Sequence, residues 1–217
     1  MVQKDKNEFP RERILDEAEL LFARKGYHAV TVREITTRAG CNLAAVNYHF
    51  GNKENLYLEV FKTRWFPRAR RIMNAVDKAL ESRERISISA VIHAVASAFL
   101  EGPLTERERE LHFQLMVREL AQPTEAFEIV AGQIMQPFFQ KLGAIISPFL
   151  PGKMDEEQLM LSMFSVFSMI LHLNFARVAV TRLTGREYDA AFRARLVGHI
   201  VEFSLNGLGG IYREESE

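Results

Sequence analysis

Apolar residues recur at helical spacing along most of the chain, whereas the strict alternation of a half-buried strand is missing. The first such segment lies between Pro10 and Gly26. Its apolar face consists of Ile14, Ala18, Leu21 and Phe22. Proline suits the first turn of a helix, and glycine suits the left-handed position after the last turn. The pattern predicts an all-α protein of about nine helices.

Two short helices are predicted next, joined by a tight turn. Thr31 and Glu34 have the spacing of a capping box, in which the Thr hydroxyl accepts from the Glu34 N–H and the Glu34 carboxylate reaches back. This second helix should end at Gly40. A third helix, with Asn42 as its N-cap, should end at Phe50. Two short helices around a glycine-containing turn are typical of a helix-turn-helix.

Longer helices are predicted in the rest of the chain. Asn52 caps a connector helix over residues 53–80, in which Pro67 should produce a kink or a break. Pro137 should bend a later helix in the same way. The later helices are predicted near residues 86–101, 105–121, 123–149, 155–183 and 187–206.

Charge is distributed unevenly, although the formal net charge is zero. The first 71 residues carry 14 Lys and Arg against 9 Asp and Glu, and the remainder carries 14 against 19. A basic segment joined to an acidic one is expected of a DNA-binding module attached to a part that does not bind DNA. We therefore predict a helix-turn-helix DNA-binding domain over residues 1–52 and a helical bundle over residues 53–217.

The third helix carries side chains that suit contact with DNA. Small residues at Ala44 and Ala45 allow the helix to approach the wall of a groove. Tyr48 and His49 can donate hydrogen bonds to phosphate oxygens. Asn47 can bind a base edge, for example that of adenine.

Lys53 is in the first turn of the connector helix, where a cation is unfavourable against the helix dipole. An external anion at the same place would reverse that preference. The position therefore predicts a further phosphate contact.

The segments over residues 14–27, 31–35 and 39–57 resemble the signature of the TetR family of bacterial repressors, and the resemblance extends over residues 11–60. It implies contacts to DNA phosphates from Thr31, Tyr48, His49 and Lys53. It implies contacts to bases or the groove from Arg33, Asn42, Leu43, Ala44, Ala45 and Asn47.

Two residues depart from the family pattern. Leu43 occupies a position where the family often has a basic or polar residue, which predicts an apolar contact, for example with a thymine methyl. Cys41 occupies a position that is usually aliphatic. Since it is the single cysteine of the chain, an intrachain disulfide is excluded, and a small buried residue is expected rather than a redox sensor.

The C-terminal part resembles the ligand domain of the CecR-like branch of that family, through residues 111–124 and 199–208. The resemblance implies a helical ligand-binding and dimerisation domain, a homodimer through the last two long helices, and induction by a small molecule. The residues predicted to line the ligand pocket are His112, Phe113, Met116, Glu119, Met135, Phe139, His172 and Phe175. For the two histidines, the alternative is a hydrogen-bonded place in the core. Arg118 and Glu119 are the best polar candidates for the pocket, with an ion pair within the domain as the alternative.

Other classes of protein fit the sequence less well. The N-terminus has no signal-peptide pattern, and the apolar run from Leu159 to Leu173 is too short and too polar for a membrane span. We expect a cytoplasmic protein in which this run is a buried helix. Neither an HExxH motif nor paired His and Cys spacing is present, so no metal site, cofactor or enzymatic activity is expected.

The sequence therefore predicts a homodimeric repressor that a small-molecule inducer releases from a palindromic DNA operator. Two alternatives stay open. One is an all-helical enzyme, which would need a convergent set of catalytic groups that the spacing does not reveal. The other is a DNA-bound scaffold whose C-terminal part binds a protein. The sequence does not identify the inducer, the operator, the regulated genes or the sign of regulation.

Overall fold

The computed structural model describes residues 8–150 and 154–210, and the described residues contain helices and no strand. The α-helices are α1 (Glu8–Lys25), α2 (Val32–Ala39), α3 (Leu43–Phe50), α4 (Lys53–Val60), α5 (Phe66–Glu81), α6 (Ile88–Leu100), α7 (Glu106–Ala121), α8 (Glu125–Val130), α9 (Gln136–Ile146), α10 (Glu156–Phe175), α11 (Arg177–Thr184) and α12 (Ala190–Gly210). The all-α prediction is confirmed. Three of the nine predicted helices are each divided in two, which accounts for the larger number of segments.

The helices form two compact units. One contains the described residues up to Ala69 together with Thr105–Ala131, and the other contains Arg70–Leu104 together with the described residues from Gly132 onward. These units do not coincide with the predicted division after residue 52, because α7 packs on α1 and α8 packs on α4. Both helices therefore belong to the unit that contains the helix-turn-helix.

The core of the first unit forms around α1, which contacts α2, α3, α4 and α7. Ile14, Leu21 and Phe22 of its apolar face are completely buried. The Phe22 ring meets Tyr57 of α4 edge to face, with 4.8 Å between the ring centroids. Burying each such side chain contributes about 1.5–3 kcal/mol, so this face fixes α1 against the other helices of the unit.

The second unit is built around α6, in which nine of thirteen residues are buried. This helix contacts α9, α10 and α12. The buried side of α12 is a helical stripe of apolar residues that includes Phe192, Leu196 and Ile200. Within the same unit, the Asn174 side chain donates to the Phe99 carbonyl at 2.9 Å, so the buried amide has a partner.

A π-helical segment precedes each of the two prolines that were expected to disturb a helix. Residues Phe61–Trp65 form the first, two residues before Pro67, and Ala131–Met135 form the second, two residues before Pro137. A proline ring clashes with the carbonyl four residues earlier, and that carbonyl lies in the π-helical segment in both cases. The wider turn accommodates the ring, and the helical path continues through residue 67, so of the predicted kink or break the break does not occur.

The predicted helix over residues 155–183 is interrupted at Ala176, where α10 ends and α11 begins. Backbone groups at this break find partners nearby. The Ala176 N–H donates to the His172 carbonyl at 2.8 Å, and the Arg177 side chain donates to the Asn174 carbonyl at 3.0 Å. Propensity alone did not reveal this break, because neither proline nor glycine marks it.

The prediction that the apolar run in α10 is buried is wrong. By length and composition this helix could cross a membrane, but only 17% of its most apolar window is buried within the chain. Leu161, Phe164 and Phe175 are exposed on it. Its other side packs on α6, α9 and α12. The sequence pattern shows that a residue is apolar, but not whether the surface that covers it belongs to the same chain.

Candidate nucleic-acid interface

The second helix begins as the capping pattern predicts, but only half of the capping box forms. The Thr31 hydroxyl accepts from the Glu34 N–H at 3.1 Å. The Glu34 carboxylate accepts instead from the Lys25 ammonium at 2.6 Å. This ion pair joins the end of α1 to the first turn of α2, so the acidic residue anchors one helix to another.

The turn between α2 and α3 depends on glycine. Gly40 has a φ of 62°, in the left-handed region that costs other residues about 1–2 kcal/mol. The chain then reverses, with the Cys41 N–H donating to the Thr36 carbonyl at 2.9 Å. Asn42 begins α3, its side chain accepting from the Ala45 N–H at 2.9 Å. The predicted turn and N-cap are confirmed.

One face of α3 is buried and the other is open to solvent. Val46 and Phe50 face the core of the unit. Leu43 is 54% exposed and Tyr48 is 77% exposed. The residues predicted to contact DNA that are exposed are Thr31, Arg33, Asn42, Leu43, Ala44, Asn47 and Tyr48. The predicted residues that are half-buried are Ala45, His49 and Lys53.

Arg33 lies on the exposed side of α2 and forms no ion pair with any residue that the structure describes. Arg38, also on α2, is held by Glu17 at 3.2 Å. Of these two arginines, Arg33 therefore has the guanidinium available for an external acceptor.

Lys53 has a partner that the sequence pattern did not indicate. Its ammonium lies 4.3 Å from the centroid of the Tyr27 ring, a cation–π arrangement. Partial burial lowers the pKa of Lys53 below its ordinary value. The aromatic face thus compensates part of the unfavourable placement at the start of α4, and contact with a phosphate stays a prediction.

Helix α7 belongs to the same unit as the helix-turn-helix, which the sequence pattern did not indicate. The Arg118 side chain donates to the carbonyl of Ala23 at 3.4 Å and to that of Arg24 at 2.5 Å. These carbonyls lie in the last turn of α1, where backbone acceptors lack helical partners. Arg118 therefore caps α1, and it also lines a cavity of the first unit, so a ligand contact stays a prediction.

Glu119 holds a buried polar cluster together. Its carboxylate accepts from the Tyr57 hydroxyl at 2.5 Å and from the Thr124 N–H at 3.0 Å. Glu119 is 1% exposed and Tyr57 is 2% exposed. Burial, then the hydrogen bond to Glu119, raises the pKa of the Tyr57 hydroxyl, so Tyr57 remains a donor throughout the physiological range.

His112 is buried in the first unit and stacks on Trp65, with ring centroids 4.5 Å apart and planes 13° from parallel. Burial, together with the nearby Arg68 guanidinium, lowers the pKa of His112 to about 3, so the ring is neutral at pH 7. Its Nδ1 has no hydrogen-bond partner among the described residues. Arg68 itself pairs with buried Glu19.

The structure places the predicted pocket residues in two groups. Within the first unit are the buried residues His112, Phe113, Met116 and Glu119. Within the second unit are Met135, which is half-buried, Phe139, which is buried, and His172 and Phe175, which are exposed. Of the second group, Phe139 lines an apolar cavity bounded by α6, α9 and α10. Their role in binding a ligand stays a prediction.

Both the N-terminal and the C-terminal part of the chain match known protein families. Residues 14–60 match the family described as bacterial regulatory proteins, tetR family. Residues 85–208 match the C-terminal domain of the HTH-type transcriptional dual regulator CecR. The CecR protein of Shigella flexneri is 25% identical over 187 residues, which is 83% of this chain and 82% of that protein.

Two further similarities are more limited in length or identity. The HTH-type transcriptional repressor AcnR of Corynebacterium glutamicum is 43% identical over 54 residues, which is 25% of this chain and 29% of that protein. A transcriptional regulator from Rhodococcus sp. Rha1 has the same fold, with a TM-score of 0.60 at 16% identity over 90% of this chain and 96% of that one. The similar proteins are transcriptional regulators and not enzymes.

Proposed function

Because the chain belongs to the TetR family of bacterial regulatory proteins and has a C-terminal domain of the CecR type, we propose that it is a cytoplasmic repressor that a small molecule releases from a palindromic operator. The observation that carries the proposal is the exposed side of α3, which presents Asn47 and Tyr48 while Val46 and Phe50 fix the helix from behind.

On this proposal, α3 enters the major groove, where Asn47 binds a base edge and Tyr48 donates to a phosphate. Arg33 supplies a guanidinium that forms no ion pair with a described acidic residue. Leu43 and Ala44 make apolar contacts at the start of the helix. Thr31, His49 and Lys53 add phosphate contacts around the edge of the interface.

We propose a homodimer through α10 and α12. Both helices have large apolar side chains exposed on the single chain, with Leu161 at 59% and Phe203 at 61%. A second copy of the chain would remove these faces from water, which is the favourable term in most association. Two α3 helices separated by about 34–36 Å would then contact successive major grooves of a palindromic site.

Release by a ligand requires a molecule that binds the two states of the dimer with different affinities. The apolar cavity of the second unit supports a ligand site there, since small-molecule sites are concave and mostly apolar. A ligand at this site would favour a dimer in which the spacing of the α3 helices no longer fits the operator.

A gel-shift measurement on DNA from upstream of the protein's own gene tests the DNA-binding part. We expect a specific complex that weakens as salt increases, because phosphate contacts release counterions. Asn47→Ala should weaken it, whereas the matched change Asn74→Ala on the exposed side of α5 should not. Footprinting on genomic fragments would then identify the operator. Absence of salt-sensitive specific binding would overturn the proposal.

Sedimentation velocity tests the dimer. Leu161→Glu and Phe203→Glu should each convert the dimer to a monomer, because a charge would be buried against an apolar face. Leu183→Glu is the control, since Leu183 is 87% exposed but lies on α11. A dimer that persists in both α10 and α12 variants would contradict the proposed interface.

A further inference from the structure

The cavity between α6, α9 and α10 has an unusually uniform lining. Its volume is about 60 Å³, and fourteen of its fifteen lining side chains are apolar. The exception is the hydroxyl of Ser162. Val91, Val95 and Ile170 form part of its most buried wall. An ion placed here would lose its hydration without gaining a charged partner, so the cavity excludes charged groups.

A second cavity lies next to the first, along α9 and α10. Its volume is about 460 Å³. The two share five lining residues, which are Phe139, Leu150, Met154, Leu159 and Met163. The outer cavity differs in chemistry, because its lining adds the polar residues Gln140, Ser147, Asp155 and Glu156. A small apolar cavity therefore lies beside a larger polar one.

From this juxtaposition we propose that the ligand of the second unit is an amphiphile with a short apolar chain in the inner cavity and a polar, non-anionic head in the outer cavity. The inference deepens the proposed inducer and rests on that function. A water-sized group, such as a methylene, needs roughly 10–15 Å³ of cavity volume. The inner cavity of about 60 Å³ therefore holds roughly four to six such groups. The apolar chain therefore has roughly four to six carbons.

The head group follows from charge. Among the residues that the structure describes, the lining of the outer cavity contains two carboxylates, Asp155 and Glu156, and no base. The Asp155 carboxylate accepts from the Gln158 N–H at 2.7 Å, as the N-cap of α10. A helix N-terminus supplies about half a positive charge, which does not neutralise two carboxylates. An anionic head is therefore repelled, whereas a hydroxyl has Gln140 and Ser147 as polar neighbours.

Isothermal titration of the full-length protein with a series of straight-chain primary alcohols tests the length of the apolar chain in the inner cavity. Each methylene buried adds about 0.8 kcal/mol, so affinity should rise about fourfold per carbon up to about six carbons. Beyond that length the gain per carbon should fall, because the added methylenes enter the polar cavity. A series with no dependence on chain length would overturn the proposal.

Carboxylates with the same number of carbons test the head. We expect each of them to bind at least tenfold more weakly than the matched alcohol. Equal or tighter binding of the carboxylates would overturn the assignment of a non-anionic head.

Two filling substitutions locate the site. Val166→Phe and Ser162→Leu both add volume to the inner cavity and should reduce alcohol affinity at least tenfold. Val178→Phe on α11 is the control, since Val178 is 80% exposed and does not line the cavity. Thermal unfolding identifies a variant that no longer folds, and the other filling variant then decides the result. If both filling variants fold and retain full affinity, the site is elsewhere and the proposal fails.

Gel shifts with the same alcohols separate this inference from the proposed function. If the protein binds DNA specifically, but the alcohols neither weaken that binding nor produce heat on titration, the repressor proposal stands and the proposed ligand is overturned. Alcohol binding in a protein that never binds DNA specifically supports the cavity assignment and overturns the repressor proposal.

Discussion

The hydroxyl of Tyr57 on α4 donates to the buried carboxylate of Glu119 on α7 at 2.5 Å, across 62 positions of sequence. The same carboxylate binds the backbone of Thr124, which begins α8. One acidic side chain therefore connects three helices of the unit that contains α3. Since an unpaired buried carboxylate is costly, this contact fixes how α4 and α7 pack.

Tyr57→Phe should destabilise the protein by about 1–3 kcal/mol, because it removes one donor from a buried carboxylate. Urea unfolding measures the change. Tyr48→Phe is the matched control, since Tyr48 is 77% exposed and should change stability little. Equal stability of the Tyr57 variant and the wild type would show that the hydrogen bond contributes nothing.

His112 should make the folded state sensitive to acid. Its pKa is lowered from 6.5 to about 3 in the folded state, so the stability gained by keeping the ring neutral is present above pH 6.5 and lost as pH falls toward 3. Within that window each pH unit should cost about 1.4 kcal/mol for this one proton.

His112→Phe keeps an aromatic ring against Trp65 and should remove that part of the pH dependence. Unfolding measured from pH 7 to pH 4 tests this, with exposed His93→Phe as the control. An unchanged acid dependence in the His112 variant would contradict the assignment.

Gly40→Ala should destabilise the helix-turn-helix by about 1–2 kcal/mol, because its φ of 62° is unfavourable for a residue with a Cβ. The added Cβ would have space, since the nearest atom is Arg13 Nη1 at 3.7 Å. The substitution therefore tests the cost of the positive φ and not a steric clash of the added Cβ. Gly132→Ala, which has open space and lacks a positive φ, should not destabilise the protein by that mechanism.

Lys53→Met should weaken operator binding and reduce the slope of log affinity against log salt by about 0.9, as expected for the loss of one phosphate contact. Gel shifts over a range of salt concentrations give the slope. Lys78→Met on the exposed side of α5 is the control. A lowered affinity with an unchanged slope would assign Lys53 to the cation–π contact with Tyr27 and not to phosphate.

Much of the helix-turn-helix was predictable because its signals are local. Thr31 and Asn42 accept from backbone donors three residues later, and Gly40 supplies a left-handed turn within the same short segment. The capping-box prediction was wrong for one of its two hydrogen bonds, that of the Glu34 carboxylate. Lys25, nine positions before Glu34, offers its carboxylate a full ion pair, which the local pattern cannot reveal.

The buried and ligand-related residues were harder to predict because they depend on contacts distant in sequence. Arg118 and Glu119 have the composition of a polar pocket and line a cavity of the first unit, and both also fix the packing of α7 on α1 and α4, which the sequence did not indicate. Phe139 was predicted because it is apolar on a helix, whereas Val91 and Ile170, which line the same cavity, lie on other helices.

By itself the sequence determined the helices, their caps and the exposed side of α3, because hydrogen bonds and periodicity within a few residues decide these features. Only the tertiary structure decided that α7 joins the helix-turn-helix and that α6, α9 and α10 enclose an apolar cavity. It also showed that α10 has an exposed apolar side. Burial depends on which distant surfaces meet, and the hydrophobic effect specifies no partner.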